Sequence, residues 1–245
     1  MVENLMTSIA VIRAHVENKI PGALTPYQRI EGQRIPTGIA SLDAMMGGLP
    51  RGALTQICAT ANSSVGRTAL LVSTMAQLAR KQECCAWIDA ADAFNPASAA
   101  AAGVDLSRFL WVRCDRSRRL KPLEQAFKAT DILVQNGGFG LITLDLGSVD
   151  EPSLRKVPLT TWFRFARVME KMPAALIVLT SYPAAKSCAG MTLVLADAQD
   201  TWANPGNIHH ARLFSHVCSG IEMEVRMRKP AHSERPRFRA TPVWA

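Results

Sequence analysis

The sequence has no apolar run near the ~20 residues a membrane-crossing helix needs, and it opens on no basic, apolar, small-residue leader. A cytoplasmic protein with no membrane partner is the expectation. Cysteine and histidine are sparse and scattered. The six cysteines, at 58, 84, 85, 114, 188 and 218, show no metal-ligand spacing, and adjacent Cys84 and Cys85 suit no ordinary disulfide. They read as small buried hydrophobes in a reducing compartment. The five histidines, at 15, 209, 210, 216 and 232, lack a zinc pattern as well. His209 and His210 stand in a loop-like stretch, Thr201 to Arg212, and read as solvated. There is no internal repeat and no low-complexity tract, and no residue is assigned a catalytic role.

What is present suits an ordinary globule. Hydrophobic residues make up 48% of 245 and charged residues 20%, which excludes wholesale disorder and matches one α/β domain with a small appendage. Lys and Arg outnumber Asp and Glu by 28 to 20, a net charge of +8. That excess points to a polyanionic partner and says nothing of fold.

Residues 1–34 read as a helix and a linker. Leu5, Ile9, Ile12, Val16 and Ile20 recur at helical spacing, and Pro21-Gly22 ends the pattern. The apolar face must be buried, either on its own globule or on a neighbouring subunit. Residues 35–229 alternate. Short apolar runs at Ala53–Cys58, Cys85–Asp89, Phe109–Arg113, Leu141–Leu146 and Ala174–Thr180 predict strands. Helical patterns at Thr68–Lys81, Leu123–Gln135 and Thr160–Lys171 lie between them. Such alternation predicts an α/β core, a mostly parallel twisted sheet flanked by helices. Met191–Ala196 and Ile221–Met227 predict antiparallel edge strands toward the C-terminus. Residues 230–245, with Arg235, Arg237 and Arg239 among three prolines, read as an extended basic tail free to bind.

After the strand ending at Cys58 comes Ala59-Thr-Ala-Asn-Ser-Ser-Val-Gly66-Arg67-Thr68, and then a helix. Strand, small-residue loop and helix is the layout of a phosphate-binding loop, in which backbone N–H groups cradle an anion. The usual pattern is G-x-x-x-x-G-K-[ST]. Here the first glycine is alanine and the lysine is Arg67, a planar fork in place of a compact ammonium. The candidate nucleotide-binding residues are therefore Ala61, Asn62, Ser63, Ser64, Val65, Gly66, Arg67 and Thr68. Asp145, at the end of the apolar strand Leu141–Asp145, is the candidate carboxylate. Thr68 and Asp145 would share a Mg²⁺, and should lie close together.

Several motifs in order resemble the RecA recombinase core. They are Ile35-Pro-Thr-Gly-Ile-Ala-Ser-Leu-Asp43, Gly47-Gly-Leu-Pro-Arg-Gly52, the loop itself, Ala86-Trp-Ile-Asp-Ala-Ala-Asp-Ala-Phe-Asn-Pro96 and Gly103-Val-Asp105. The resemblance runs from about residue 30 to 180. It implies ATP or ADP with Mg²⁺ as ligand, and an N-terminal arm whose Leu5, Ile9, Ile12 and Val16 pack on another molecule, so that a homo-oligomer can form through it. Two departures stand out. The position of RecA's water-activating glutamate holds Ala91, and that of its nucleotide-sensing glutamine holds Ser181. The degraded loop ending Gly-Arg-Thr and the basic tail look most like the ImuA branch, RecA-like accessory proteins of bacterial mutagenesis cassettes. That resemblance implies DNA repair in the SOS response, by translesion synthesis, through contacts with RecA, DNA and partner polymerases. It implies nucleotide held weakly or not at all, and little or no ATPase activity. Two alternatives stay open: a DNA-dependent ATPase using Arg67, Thr68, Asp145 and Asp92, and a protein-only inhibitor of RecA filaments or of cell division.

Three basic clusters are candidate nucleic-acid contacts, since phosphate contacts come mostly from such side chains. Arg116, Arg118 and Arg119 belong to the first, Arg155 and Lys156 to the second, and Arg235, Arg237 and Arg239 to the third. Tyr182, Phe238 and Trp244 are candidates for stacking on bases.

Overall fold

The apolar runs do become strands, and their order along the chain becomes a layered sheet. The computed structural model describes residues 32–59, 65–115, 117, 120–203 and 217–240, by backbone alone at 65, 197–203, 217–221 and 240. Leu5, Ile9, Ile12 and Val16, the loop residues Ala61 to Ser64, and Arg116, Arg118 and Arg119 lie outside the described residues, as do His209, His210 and Trp244.

The elements in chain order are β1 (Arg34–Ile35), α1 (Ala40–Met46), β2 (Leu49–Pro50), β3 (Ala53–Ala59), α2 (Val65–Arg80), β4 (Cys85–Asp89), α3 (Pro96–Ala101), β5 (Phe109–Arg113) and α4 (Pro122–Asn136). There follow β6 (Leu141–Asp145), α5 (Glu151–Arg155), α6 (Leu159–Met169), β7 (Ala175–Thr180), β8 (Met191–Ala203), β9 (Val217–Lys229) and β10 (Arg237–Ala240). The eight-stranded sheet has the order β10-β9-β8-β3-β7-β6-β4-β5. From β8 to β5 every pair is parallel, whereas β8–β9 and β9–β10 are antiparallel.

Strands β3, β4, β6 and β7 are short because each is buried on both faces and needs only enough length to cross the core, whereas β5 closes the sheet as a partly exposed edge. Their alternate residues feed two apolar layers. Ile57, Trp87, Ile177 and Leu193 meet Leu70, Leu71, Met75 and Leu78 of α2 on one face. Ile88, Ile142, Leu144 and Val178 meet Leu133 and Val134 of α4 and Trp162, Phe165 and Met169 of α6 on the other. Trp162, Phe165 and Met169 follow the helical period and are wholly buried, contributing roughly 1.5–3 kcal/mol each on transfer from water. The approach to the core is fixed by Asp43: its Oδ1 accepts from Thr37 N–H and Oγ at 2.8 and 2.9 Å, and its Oδ2 from Gly38 N–H at 3.1 Å. That accounts for the Thr-Gly-x-x-x-x-Asp spacing of the first motif.

The tail departs from expectation. Arg237–Ala240 pairs with β9 as an edge strand, and Phe238 is buried against the core instead of being presented to bases. The reason is alternation: Phe238 sits between Arg237 and Arg239, so one face of the strand is apolar and the other charged. Arg235, Arg237 and Arg239 are exposed. No helix of the described residues is long and apolar enough to cross a membrane.

Candidate functional site

The connections leaving the sheet set the site's place. After β3 and β4 the chain turns to the α2 face, whereas after β6 and β7 it turns to the α4 and α6 face. Strands whose exits part to opposite faces leave a crevice at their C-terminal ends, where ligands of open α/β sheets bind. Arg67 of α2 and Asp145 of β6 lie at this crevice.

Gly66 opens α2 and lies against β9. A Cβ there would stand 1.4 Å from the sulfur of fully buried Met223, so only glycine lets the helix start this close to the sheet. Thr68 is half-buried in the first turn. Arg67, between them, is only 7% exposed. Its guanidinium does not face outward. One Nη donates to the carbonyl of Thr180 at the end of β7, 2.8 Å away. The same group lies flat against the backbone after β6: a Cβ on Gly147 would stand 2.8–3.0 Å from three of its atoms. Burial holds the Arg67 pKa below its ordinary value, and Asp145 opposes that shift.

Asp145 pairs in register with Asp89 of β4 and Leu179 of β7. It accepts from Gly147 N–H at 2.9 Å. Burial pushes its carboxyl up to about 6; the Gly147 bond pulls down, Asp89 adds to the rise, and Arg67 counters it. Asp89 is wholly buried and fully engaged, accepting from Ala91 N–H, Phe94 N–H and Trp111 Nε1–H at 3.1, 2.8 and 3.3 Å. It builds the turn that carries Ala91 and Asp92, and Phe94 locks that turn by stacking on Trp87 and Phe109 at 4.7 and 5.1 Å. Asp92 takes a left-handed φ of 58° and points to β5, where Arg113 binds both its oxygens at 2.6 and 2.5 Å. The structure thus brings Arg67, Asp145 and Asp89 together and directs Asp92 to the rim. Ser181, at the sensing position, has a buried Oγ with no hydrogen-bond partner among the described residues.

The segment after β7 is held from inside the sheet. Buried Gln56 of β3 donates to Thr180 Oγ1 and to the Tyr182 carbonyl at 2.8 and 3.1 Å, and accepts from Ala185 N–H at 3.0 Å. Residues 182–190 therefore run back over the sheet with Ala184, Ala185, Cys188 and Ala189 buried. Beside them lies a cleft of about 310 Å³ lined by Arg155, Lys156, Tyr182 and Lys186. Arg155 is paired with Glu151 and sits 5.0 Å over the Tyr182 ring; Lys156 and Lys186 are exposed. A half-buried aromatic ring among three cations is a surface suited to a nucleic-acid strand, giving a stacking platform and phosphate partners together. Of these groups, Gln56, Asp89, Gly147 and Lys186 escape the sequence reading. Lys186 had the only visible signal, a cation in the loop after a sheet strand.

The buried thiols Cys58, Cys85 and Cys114 are pushed up to about 11, 12 and 11 by burial, as suits inert core cysteines. Among the described residues, no group of three or more acidic, Cys or His side chains could hold a metal.

Comparison with known proteins bears on the family and the fold. The RecA N-terminal domain model matches residues 10–153. RecA of Brucella anthropi is 36% identical over 118 residues, which is 47% of this chain and 30% of that protein. RecA of Brucella canis is 35% identical over 120 residues, 48% of this chain and 31% of the relative. These matches span under a third of the relatives' length. The crystal structure of the RadB recombinase superposes with a TM-score of 0.58 at 16% identity, covering 84% of this chain and 96% of that one. With its core motifs and its sheet both accounted for, the chain belongs to the RecA family.

Proposed function

We propose that this RecA-family protein is an accessory factor of SOS-induced mutagenic repair. It serves translesion synthesis by binding DNA, RecA and partner polymerases, and it turns over ATP very slowly or not at all. The observation that carries this reading is the Asp92–Arg113 pair next to Ala91. Alanine stands where a RecA glutamate activates water, and the neighbouring carboxylate is spent on a bidentate ion pair at the rim. A missing general base commonly costs roughly 10²–10⁴ in rate.

RecA-family proteins generally bind ATP with Mg²⁺. The residues at this edge do not fit that group well. The cation in place of the usual lysine, Arg67, is turned inward to the Thr180 carbonyl and the Gly147 backbone. What remains is binding chemistry. Lys156 and Lys186 hold phosphates while the Tyr182 ring meets a base. Arg235, Arg237 and Arg239 add a second basic face, and Leu5, Ile9, Ile12 and Val16 supply an apolar stripe for RecA or a second copy of the chain.

The test is ATP turnover by the full chain with and without single-stranded DNA, alongside capture of RecA and translesion polymerases by the tagged protein. Turnover at least a hundredfold below that of RecA, with DNA retained, is the expected result. Turnover near RecA's own would overturn the reading and favour the DNA-dependent ATPase.

A further inference from the structure

Three strands and a helix end around Arg67, and the contacts of its side chain differ from those a phosphate-binding cation would make. The side chain leaves the first turn of α2, passes inward and spans the crevice. It bonds the Thr180 carbonyl of β7 at 2.8 Å and covers Gly147 beyond β6, where an added Cβ would meet it at 2.8–3.0 Å, beside Asp145. These are the two strands whose exits part from that of β3, so the guanidinium ties together the elements that border the crevice. A planar fork suits this task. It can hydrogen-bond in its plane to a carbonyl while its face lies on a glycine backbone, which a lysine ammonium cannot do. The absence of a side chain at Gly147 is part of the same fit, because even alanine would collide with the group.

Charge makes the arrangement self-consistent. Asp145 and Asp89 stand side by side on adjacent strands, and Asp89 has its donors from the backbone and Trp111. Asp145 has one backbone donor from Gly147. Two carboxylates at one buried edge repel each other unless a cation is near.

We infer that Arg67 is a resident brace: its guanidinium bridges the ends of β6 and β7 and fixes them to α2 with the protein's own side chain. This rests on the reading of the crevice as the family's nucleotide site. It adds that the cation in the position of the usual lysine is turned to the protein's own backbone at Thr180 and Gly147.

The experiment uses the full chain as wild type, Arg67→Ala and Arg67→Lys, melted with and without millimolar Mg²⁺-ATP or methylguanidinium. The expected wild-type midpoint is unmoved by either addition. Arg67→Ala should melt roughly 5–10 °C lower, at the 2–4 °C per kcal/mol usual for this size. Methylguanidinium should return part of that loss, which simple loss of packing would not allow. Arg67→Lys, which keeps the charge and loses the fork, should fall between the two, and it carries the test if the alanine variant does not fold. The inference is overturned if the variants melt with the wild type, if methylguanidinium moves all three alike, or if Mg²⁺-ATP raises the wild-type midpoint. The last outcome, with no turnover, would remove the brace and leave the accessory role standing; turnover in the wild type would remove that role instead.

Discussion

Gly66 and Met223 occupy one another's space: a Cβ on the glycine would fall 1.4 Å from the methionine sulfur. The residue that looks in sequence like a phosphate-loop glycine is also the contact by which α2 seats on β9. Gly66→Ala should lower stability by about 1–3 kcal/mol, the usual cost of overpacking a filled core. Met223→Ala in the same chain should return part of it. Urea unfolding of the two single variants and the double variant measures the coupling, and strict additivity would show that the contact yields freely.

Asp145 should make the protein less stable as pH rises. Its carboxyl is raised to about 6 from the ordinary 3.8, so between those values the folded state binds more protons than the unfolded chain, and unfolding free energy falls with rising pH. Above about 6 the effect is complete, at roughly 3 kcal/mol. Asp145→Asn lacks this slope. The gap in unfolding free energy between variant and wild type should therefore widen in the variant's favour from pH 4 to pH 7. A gap that stays constant would refute the assignment.

Lys156→Glu and Lys186→Glu should each weaken binding of single-stranded DNA. Each should also reduce the slope of log affinity against log salt by about 0.7 for every phosphate the lysine neutralises in the wild type. Lys171→Glu, on an exposed position beyond the far end of α6, is the control and should change less. Equal effects from all three would mean that net charge, not the Tyr182 cleft, draws the nucleic acid.

Phe238→Ala should cost about 3–5 kcal/mol, as expected for a buried phenylalanine. Removing residues 237–245 should do at least as much, because it takes away the strand as well as the side chain. Thermal melting decides it. A truncated protein that melts like the intact one would return these residues to the role of a free tail.

Much of the fold is legible because burial on both faces turns central strands into unbroken apolar runs. Cys85–Asp89 and Phe109–Arg113 have the bounds that the sequence implies, and the helices differ by one to three residues at each end. The edge is harder to read. β8 and β9 run on to Ala203 and back from Val217 through polar residues, where they pair with each other. In the tail, Pro236 and Pro242 mask the alternation of Arg237, Phe238 and Arg239. At the site, the cation of Arg67 and the carboxylate of Asp145 are both legible in sequence. The inward turn of Arg67 is not, because that direction depends on Gly147 and Thr180, about 80 and 113 residues further along. Ala91 and Asp92 are visible as residues, but the capture of Asp92 by Arg113 depends on β4 and β5 lying side by side.

Ser41 of α1 donates to the carbonyl of Arg237, across 196 residues of chain. The first helix of the core is thus fastened by the last strand. During synthesis, the apolar surface that Phe238 covers stays open until residues 237–240 have left the ribosome, and contacts of such long separation form slowly. An unfinished chain displays sticky surface at the very place where α1, α2 and β9 meet. Closure of this edge is therefore timed by residues 237–240, and a chain that stops before them would be a substrate for chaperones and proteases.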